Sequence, residues 1–234
     1  NSGIKVGLIT TIVVDYGEGE QPSPTSQTTA SVGQLITMLK KMKDNGVEWV
    51  VIETSSHALA QGRVMGVPYE IAVMTNVTHE HLDYHGTFEK YRDAKRRLFQ
   101  QTSHNKKGLR IGIINADDPN ATLFKRDSTH PIMYGIDKGE LQARNITLTS
   151  SGSAFTAFYK GKELQITCNI TGRFNVYNSL AAIAVGGAVG LSGEQIEQGI
   201  ASLTHVPGRM ERIDAGQDFD VVVDYAVTAE ALRN

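Results

Sequence analysis

The sequence predicts an α/β fold: a mostly parallel sheet with helices on both faces, carrying a small antiparallel β insertion. Three observations predict it. Short apolar runs alternate with helical patterns, the order of strands joined by crossovers. The runs are apolar almost throughout, as strands covered on both faces are. Between about residues 140 and 170 the pattern changes to alternating segments split by Ser-Gly and Lys-Gly-Lys turn signals.

Taken in order, the first strand is Lys5-Val6-Gly7-Leu8-Ile9-Thr10. Residues 31–43 read as a helix with Val32, Leu35, Ile36, Leu39 and Met42 on one face. Strands follow at residues 48–53 and 71–76, then a helix at 88–101 and a strand at 110–115. The insertion comprises 145–149, 154–159 and 163–168. Helices resume at 175–187 and 192–203, Pro207-Gly208 marks a break, 219–224 is a last strand, and a helix starts at 228–233.

Composition narrows the function classes. A net charge of −2 supplies no global basic field, so nucleic acid is not an expected partner. The single cysteine, Cys168, allows no internal disulfide and fits a reducing, cytoplasmic setting. No apolar run reaches membrane-spanning length and no signal peptide is visible. Monomer is the default expectation. The chain begins at Asn1 rather than Met, as a piece of a longer protein would.

Three predicted strands finish in polar residues: Glu53, Asn76, and Asn115 with Asp117-Asp118 beyond it. Ligands of open α/β sheets bind outside the carboxyl ends of strands, so these residues point to one shared site. Close by, His79, Glu80, His81, Asp83 and His85 fall within seven residues. Three readings fit them. Magnesium accepts few protein ligands where phosphates supply the rest. Zinc suits imidazole, and His79, His81, Asp83 and His85 approach the spacing of zinc-dependent hydrolases, missing it by one residue at Tyr84. An exposed loop that binds nothing is the third.

Lys95 bears on the choice. Tyr91, Ala94, Lys95 and Leu98 share a helix face that otherwise looks inward. Burial favours the neutral amine, which can take up carbon dioxide and become an anionic carbamate ligand for magnesium. A lysine snorkelling from the edge of that face is the plainer reading of the same residues.

The ordered motifs resemble those of the ATP-dependent Mur ligases of peptidoglycan synthesis. They include Glu53-Thr54-Ser55-Ser56-His57-Ala58-Leu59, the Thr-Asn-Val-Thr to His-Gly-Thr segment of residues 75–87, Ala94-Lys95 and Asn115-Ala116-Asp117-Asp118. Further along come Gly172-Arg173-Phe174-Asn175-Val176-Tyr177-Asn178, Pro207-Gly208-Arg209-Met210-Glu211-Arg212 and Asp224-Tyr225-Ala226. Within the family, Ser-Ser-His-Ala-Leu and Asp-Tyr-His-Gly-Thr resemble the branch that adds the third residue to UDP-MurNAc-dipeptide.

The resemblance implies roles residue by residue. Glu53, His81 and a carbamylated Lys95 would hold Mg2+ and serve catalysis. Thr28, Thr29, Ser55, Gln61 and Arg63 would hold the UDP-MurNAc-peptide, and Asn175, Asn178, Arg209 and Asp224 the ATP. It implies an ADP-forming ligase in which an acyl phosphate reacts with a free amino acid. Residues 1–206 would be the central ATP-binding domain, and 207–234 a linker with the start of a C-terminal domain.

The sequence also departs from the family. It contains no Gly-x-x-x-x-Gly-Lys-Ser/Thr, and its only Gly-Lys pair, Gly161-Lys162, falls in the β region. In the family that loop precedes the strand at residues 5–10, so this piece alone is expected to bind ATP weakly and not to ligate. Val227 and Ala229 stand where histidine and proline are usual, and Gln27 where asparagine is common. Other readings stay open. A folylpolyglutamate synthetase would share the ATP chemistry with a different segment at residues 55–59. A non-catalytic binding module would keep the fold without turnover.

Overall fold

The computed structural model describes residues 3–159, 161–213, 215–219 and 221–225. The expected helix at 228–233, and Val227 and Ala229, lie outside the described residues. The elements in chain order begin with β1 (Val6–Ile9), β2 (Val13–Asp15), β3 (Glu20–Pro22), α1 (Val32–Asp44), β4 (Trp49–Ile52) and α2 (Ser56–Ala60). Next come β5 (Ile71–Met74), α3 (Leu82–His85), α4 (Phe88–His104), β6 (Ile111–Asn115), α5 (Ala121–Asp127) and β7 (His130–Gly135). The last are β8 (Leu141–Thr149), β9 (Gly152–Tyr159), β10 (Lys162–Cys168), α6 (Arg173–Ala188), α7 (Gly193–Ala201), β11 (Glu211–Ile213) and β12 (Val221–Val223). Two compact units emerge, one from Asn1–Glu70 with Thr78–Arg110, the other from Ile71–Val77 with Ile111–Asn234.

In the first unit, four strands lie in the order β3-β2-β1-β4. β1 and β4 are parallel, with Val6 opposite Trp49 and Ile9 opposite Ile52. α1 starts at Ser31, whose amide and hydroxyl both donate to Gln34 Oε1. Its buried stripe is Leu35, Met38 and Met42, while Val32 and Ile36 are exposed, which corrects the predicted face. The helix is turned so that position 38, rather than 32 and 36, meets the core of Ile9, Val14, Ala58 and Leu59. Gly7 marks a close approach: a Cβ there would stand 2.9 Å from Met42 Sδ.

In the second unit, six strands run β10-β9-β8-β7-β6-β5. β5 to β8 pair in parallel, and β8 to β10 antiparallel. The alternating segments therefore continue the parallel sheet through β8. The ladder slips between Arg144 and Thr147, where Asn145 takes a φ of 54°. This is a bulge, and Asn tolerates that backbone better than most residues. α6 packs its apolar face on the sheet, burying Val176, Leu180 and Ile183 against Ile113, Tyr134 and Phe155. The sequence reading missed β7. Pro131 argues against a strand, and it is tolerated because β7 pairs with β8 only at Tyr134 and Gly135.

Two expectations change. The strands do not form one sheet: β1 and β4 belong to one, and β5 and β6 to another. Nor are they covered on both faces, since Val6, Val51 and Val73 are exposed in alternation with covered neighbours. Among the described residues no helix is long and apolar enough to cross a membrane.

Candidate active site

The first unit gathers most of the predicted site. The ladder between β1 and β4 runs one residue past the strand, because the Glu53 amide donates to Ile9 O at 2.8 Å. The exposed Glu53 carboxylate then meets the turn after β1. Its Oε2 accepts the Thr11 amide at 2.8 Å and the Thr11 hydroxyl at 2.9 Å. Its carbonyl accepts the Thr29 hydroxyl at 2.9 Å, and Thr29 Oγ1 in turn accepts the Ser55 amide at 2.9 Å. Ser55 caps α2 by accepting the Ala58 amide. Arg63 reaches back, donating to the Thr29 carbonyl and, at 2.7 Å, to Gln27 Oε1. One network thus joins Glu53, Thr29, Ser55 and Arg63, with half-buried Thr28 in the same segment.

α3 carries the histidines. His81 is its N-cap, with a left-handed backbone of φ 55° and ψ 31°. Its exposed ring lies 4.9 Å from that of His57 and 5.9 Å from that of the buried Tyr91. Lys95 Nζ stands 5.2 Å from the centre of the same Tyr91 ring, so His81 and Lys95 flank one aromatic. The predicted face of α4 holds: Tyr91 and Ala94 are buried and Lys95 is half-buried. Desolvation pushes the Lys95 ammonium below the ordinary lysine value, while the carboxylates of Glu80 and Glu53 act in the opposite sense. Gln61 ties α2 to α3 by donating to the Tyr84 hydroxyl at 3.1 Å.

The loop is not a ready zinc site. His79 stacks on Phe88 with centroids 4.5 Å apart. His85 is buried and hydrogen-bonded to Ser56 Oγ at 3.0 Å. Burial lowers the His85 pKa, neighbouring His57 and His81 add to this, Asp83 opposes it, and Lys95 adds further. His81 turns to His57 and Tyr91. His85 meets the same two rings as His81, 5.4 Å from His57 and 5.5 Å from Tyr91, while His79 stands apart on Phe88. Among the described residues no group of three or more His, Cys, Asp or Glu is disposed to hold a metal.

The strand-end residues Asn115, Asp117 and Asp118 serve as latches within the second unit. Asp117 Oδ2 accepts the amides of Ile136 and Asp137 and the hydroxyl of Tyr177. Burial first, and that bond second, push the Tyr177 hydroxyl up to about 12. Asp118 Oδ2 accepts the Val77 amide at 2.7 Å and its Oδ1 the Asn120 amide, while Asn115 Nδ2 donates to the Thr75 carbonyl.

The predicted nucleotide residues lie in the second unit. At the start of α6, buried Asn175 donates to Thr171 O, and exposed Asn178 donates to Asn175 Oδ1 at 3.0 Å. Arg209 is exposed in the turn from Val206, and Asp224 Oδ2 accepts the Met210 amide at 2.8 Å. Thr11, Glu80 and Tyr84 were not singled out by role. Glu80 and Tyr84 carried a signal, their place in the histidine loop.

The comparisons with known proteins bear on this geometry. The profile of the Mur ligase middle domain matches residues 3–186. The chain belongs to the Mur ligase family. Among curated Mur ligases, the UDP-N-acetylmuramoyl-L-alanyl-D-glutamate–2,6-diaminopimelate ligase of Geobacillus kaustophilus is 41% identical over 237 residues, covering 100% of this chain and 48% of the relative. A solved structure of a ligase of that name superposes with a TM-score of 0.81 at 30% identity, over 98% of this chain and 46% of that one. This Mur ligase chain thus spans about half the length of the relatives it matches. The L. casei FPGS structure covers 99% of the chain with a TM-score of 0.69, but at 17% identity, which speaks for the fold alone.

Proposed function

We propose that this chain is the central part of an ADP-forming Mur ligase that adds the third amino acid to UDP-MurNAc-dipeptide in cytoplasmic peptidoglycan synthesis. Residues 1–206 form its ATP-binding domain, and 207–234 a linker with the start of a C-terminal domain, acting as a monomer. Diaminopimelate is the amino acid named for the relatives and the first to test.

One observation carries the reading: an amine that desolvation drives toward neutrality, opposed by two carboxylates, beside an imidazole on the same ring. Those donors suit magnesium. The neutral Lys95 amine attacks the carbon of carbon dioxide and loses a proton, giving an anionic oxygen donor to join Glu53 and His81. Bound there, Mg2+ would screen the repulsion between the substrate carboxylate and the terminal phosphate of ATP. Thr28, Ser55 and Gln61 hold the UDP-MurNAc-peptide, with the buried Thr29 bracing Ser55 from beneath, and the Arg63 guanidinium steers its negative charge. Asn175 and Asn178 contact adenine at the start of α6, and Arg209 and Asp224 contact the rest of the nucleotide. With little covalent chemistry left to protein groups, positioning and charge neutralisation supply the catalysis.

The test is ADP release by the polypeptide at the length of its relatives, with UDP-MurNAc-dipeptide and diaminopimelate. Lys95→Ala should lower the rate about 100-fold or more. Release that ignores the peptide substrate, or a Lys95→Ala enzyme as fast as the parent, would overturn the reading.

A further inference from the structure

We propose that Thr11 is a positioning residue for the cation site: it occupies one oxygen of the Glu53 carboxylate and leaves the other as a single-point ligand, which favours magnesium over calcium. The inference rests on the reading of Glu53 as a metal ligand and deepens it.

Both Thr11 donors fall on the same atom, Oε2, at 2.8 Å from the amide and 2.9 Å from the hydroxyl. A carboxylate oxygen offers two acceptor positions in its plane, so Oε2 is filled and Oε1 is left to face a cation. Neither end of the contact is loose. The turn bearing Thr11 is closed by Thr10, whose hydroxyl donates to Val13 O at 2.9 Å and accepts the Val13 amide at 3.0 Å. Glu53 is fixed through its amide on Ile9 O and its carbonyl under Thr29 Oγ1. The carboxylate is exposed, so water would satisfy Oε2 equally well. What Thr11 adds is orientation.

Orientation selects between ions. Magnesium takes carboxylates through one oxygen in a tight octahedron at about 2.0–2.1 Å, whereas calcium often takes both oxygens of one carboxylate at about 2.3–2.6 Å. Holding Oε2 in a double hydrogen bond withholds the second oxygen. Outer partners of this kind are worth on the order of 10–100-fold in metal affinity.

The experiment titrates the chain with Mn2+ in bicarbonate buffer, reading free Mn2+ by electron paramagnetic resonance, and then displaces it with Ca2+. Thr11→Val, which removes the hydroxyl and keeps the shape, should weaken Mn2+ binding about tenfold and make Ca2+ the better competitor. Thr11→Ser should restore both properties, and Glu53→Gln should lose Mn2+ binding. If Glu53→Gln loses Mn2+ while Thr11→Val matches the parent in both titrations, the role given to Thr11 falls. It falls equally if Thr11→Ser behaves as Thr11→Val, because the shape of the turn then matters and the hydroxyl does not. If Glu53→Gln binds Mn2+ like the parent, the reading of Glu53 as a ligand falls instead.

Discussion

Thr29 Oγ1 donates to the Glu53 carbonyl and accepts the Ser55 amide from inside the protein, with none of its surface exposed. Thr29→Val keeps the shape and strands both partners, so urea unfolding should show a loss of about 1–3 kcal/mol. His85 gives a pH dependence. Burial, first, and then the neighbouring imidazoles hold it below the ordinary value of 6.5. The unfolded chain therefore binds a proton near pH 6.5 that the folded chain still refuses. Stability from this group is complete above that pH and falls as the solution is acidified below it. Urea midpoints between pH 8 and pH 5 should decline, and less steeply in His85→Gln. At this scale the inward face of α4 that carries Lys95 was legible in the sequence, because Tyr91 and Ala94 share it. It was silent at Thr11, because a threonine after a strand looks like any turn until its partner 42 residues away is known.

At the scale of elements, α3 begins on a left-handed histidine. Such a backbone costs a non-glycine residue about 1–3 kcal/mol. Glycine relieves that strain but loses about 0.5–1 kcal/mol through greater freedom when unfolded. His81→Gly should therefore leave the urea midpoint nearly unchanged or slightly raised, while, on the proposed function, ADP release by a polypeptide of its relatives' length falls about 100-fold. A parallel loss of stability and activity would mean that His81 is structural. Gly208 lies just before β11 with a φ of 67°, closes the open end of the β11–β12 hairpin by accepting the Tyr225 amide at 2.8 Å, and would run an added Cβ into the Tyr225 ring. Gly208→Ala should expose this hairpin, with proteolysis quickening there before the melting temperature moves. Pro207-Gly208 announced the turn, and the alternating segments announced β8 to β10. α1 shows the limit of periodicity, since Val32 and Ile36 fit the apolar pattern yet stand in solvent. Pattern gives the helix, and only the packed partner gives its rotation.

For the whole molecule, family membership came from motifs spread along the chain, whereas the division of the strands between two sheets left no mark on any one of them. The chain spans about half of its relatives and carries no Gly-x-x-x-x-Gly-Lys-Ser/Thr. On the proposed function, residues 1–234 by themselves should therefore release no ADP in response to UDP-MurNAc-dipeptide and an amino acid, in an assay where a full-length relative does. The central claim is that Glu53, His81 and a carbamate on Lys95 surround one divalent cation. Carbon-13 magnetic resonance of the chain in labelled bicarbonate tests it most directly. A carbamate signal should be present, absent from Lys95→Arg, and broadened by Mn2+ in the parent but not in Glu53→Gln. A signal that survives Lys95→Arg, or one that Mn2+ leaves sharp in the parent, would contradict the account.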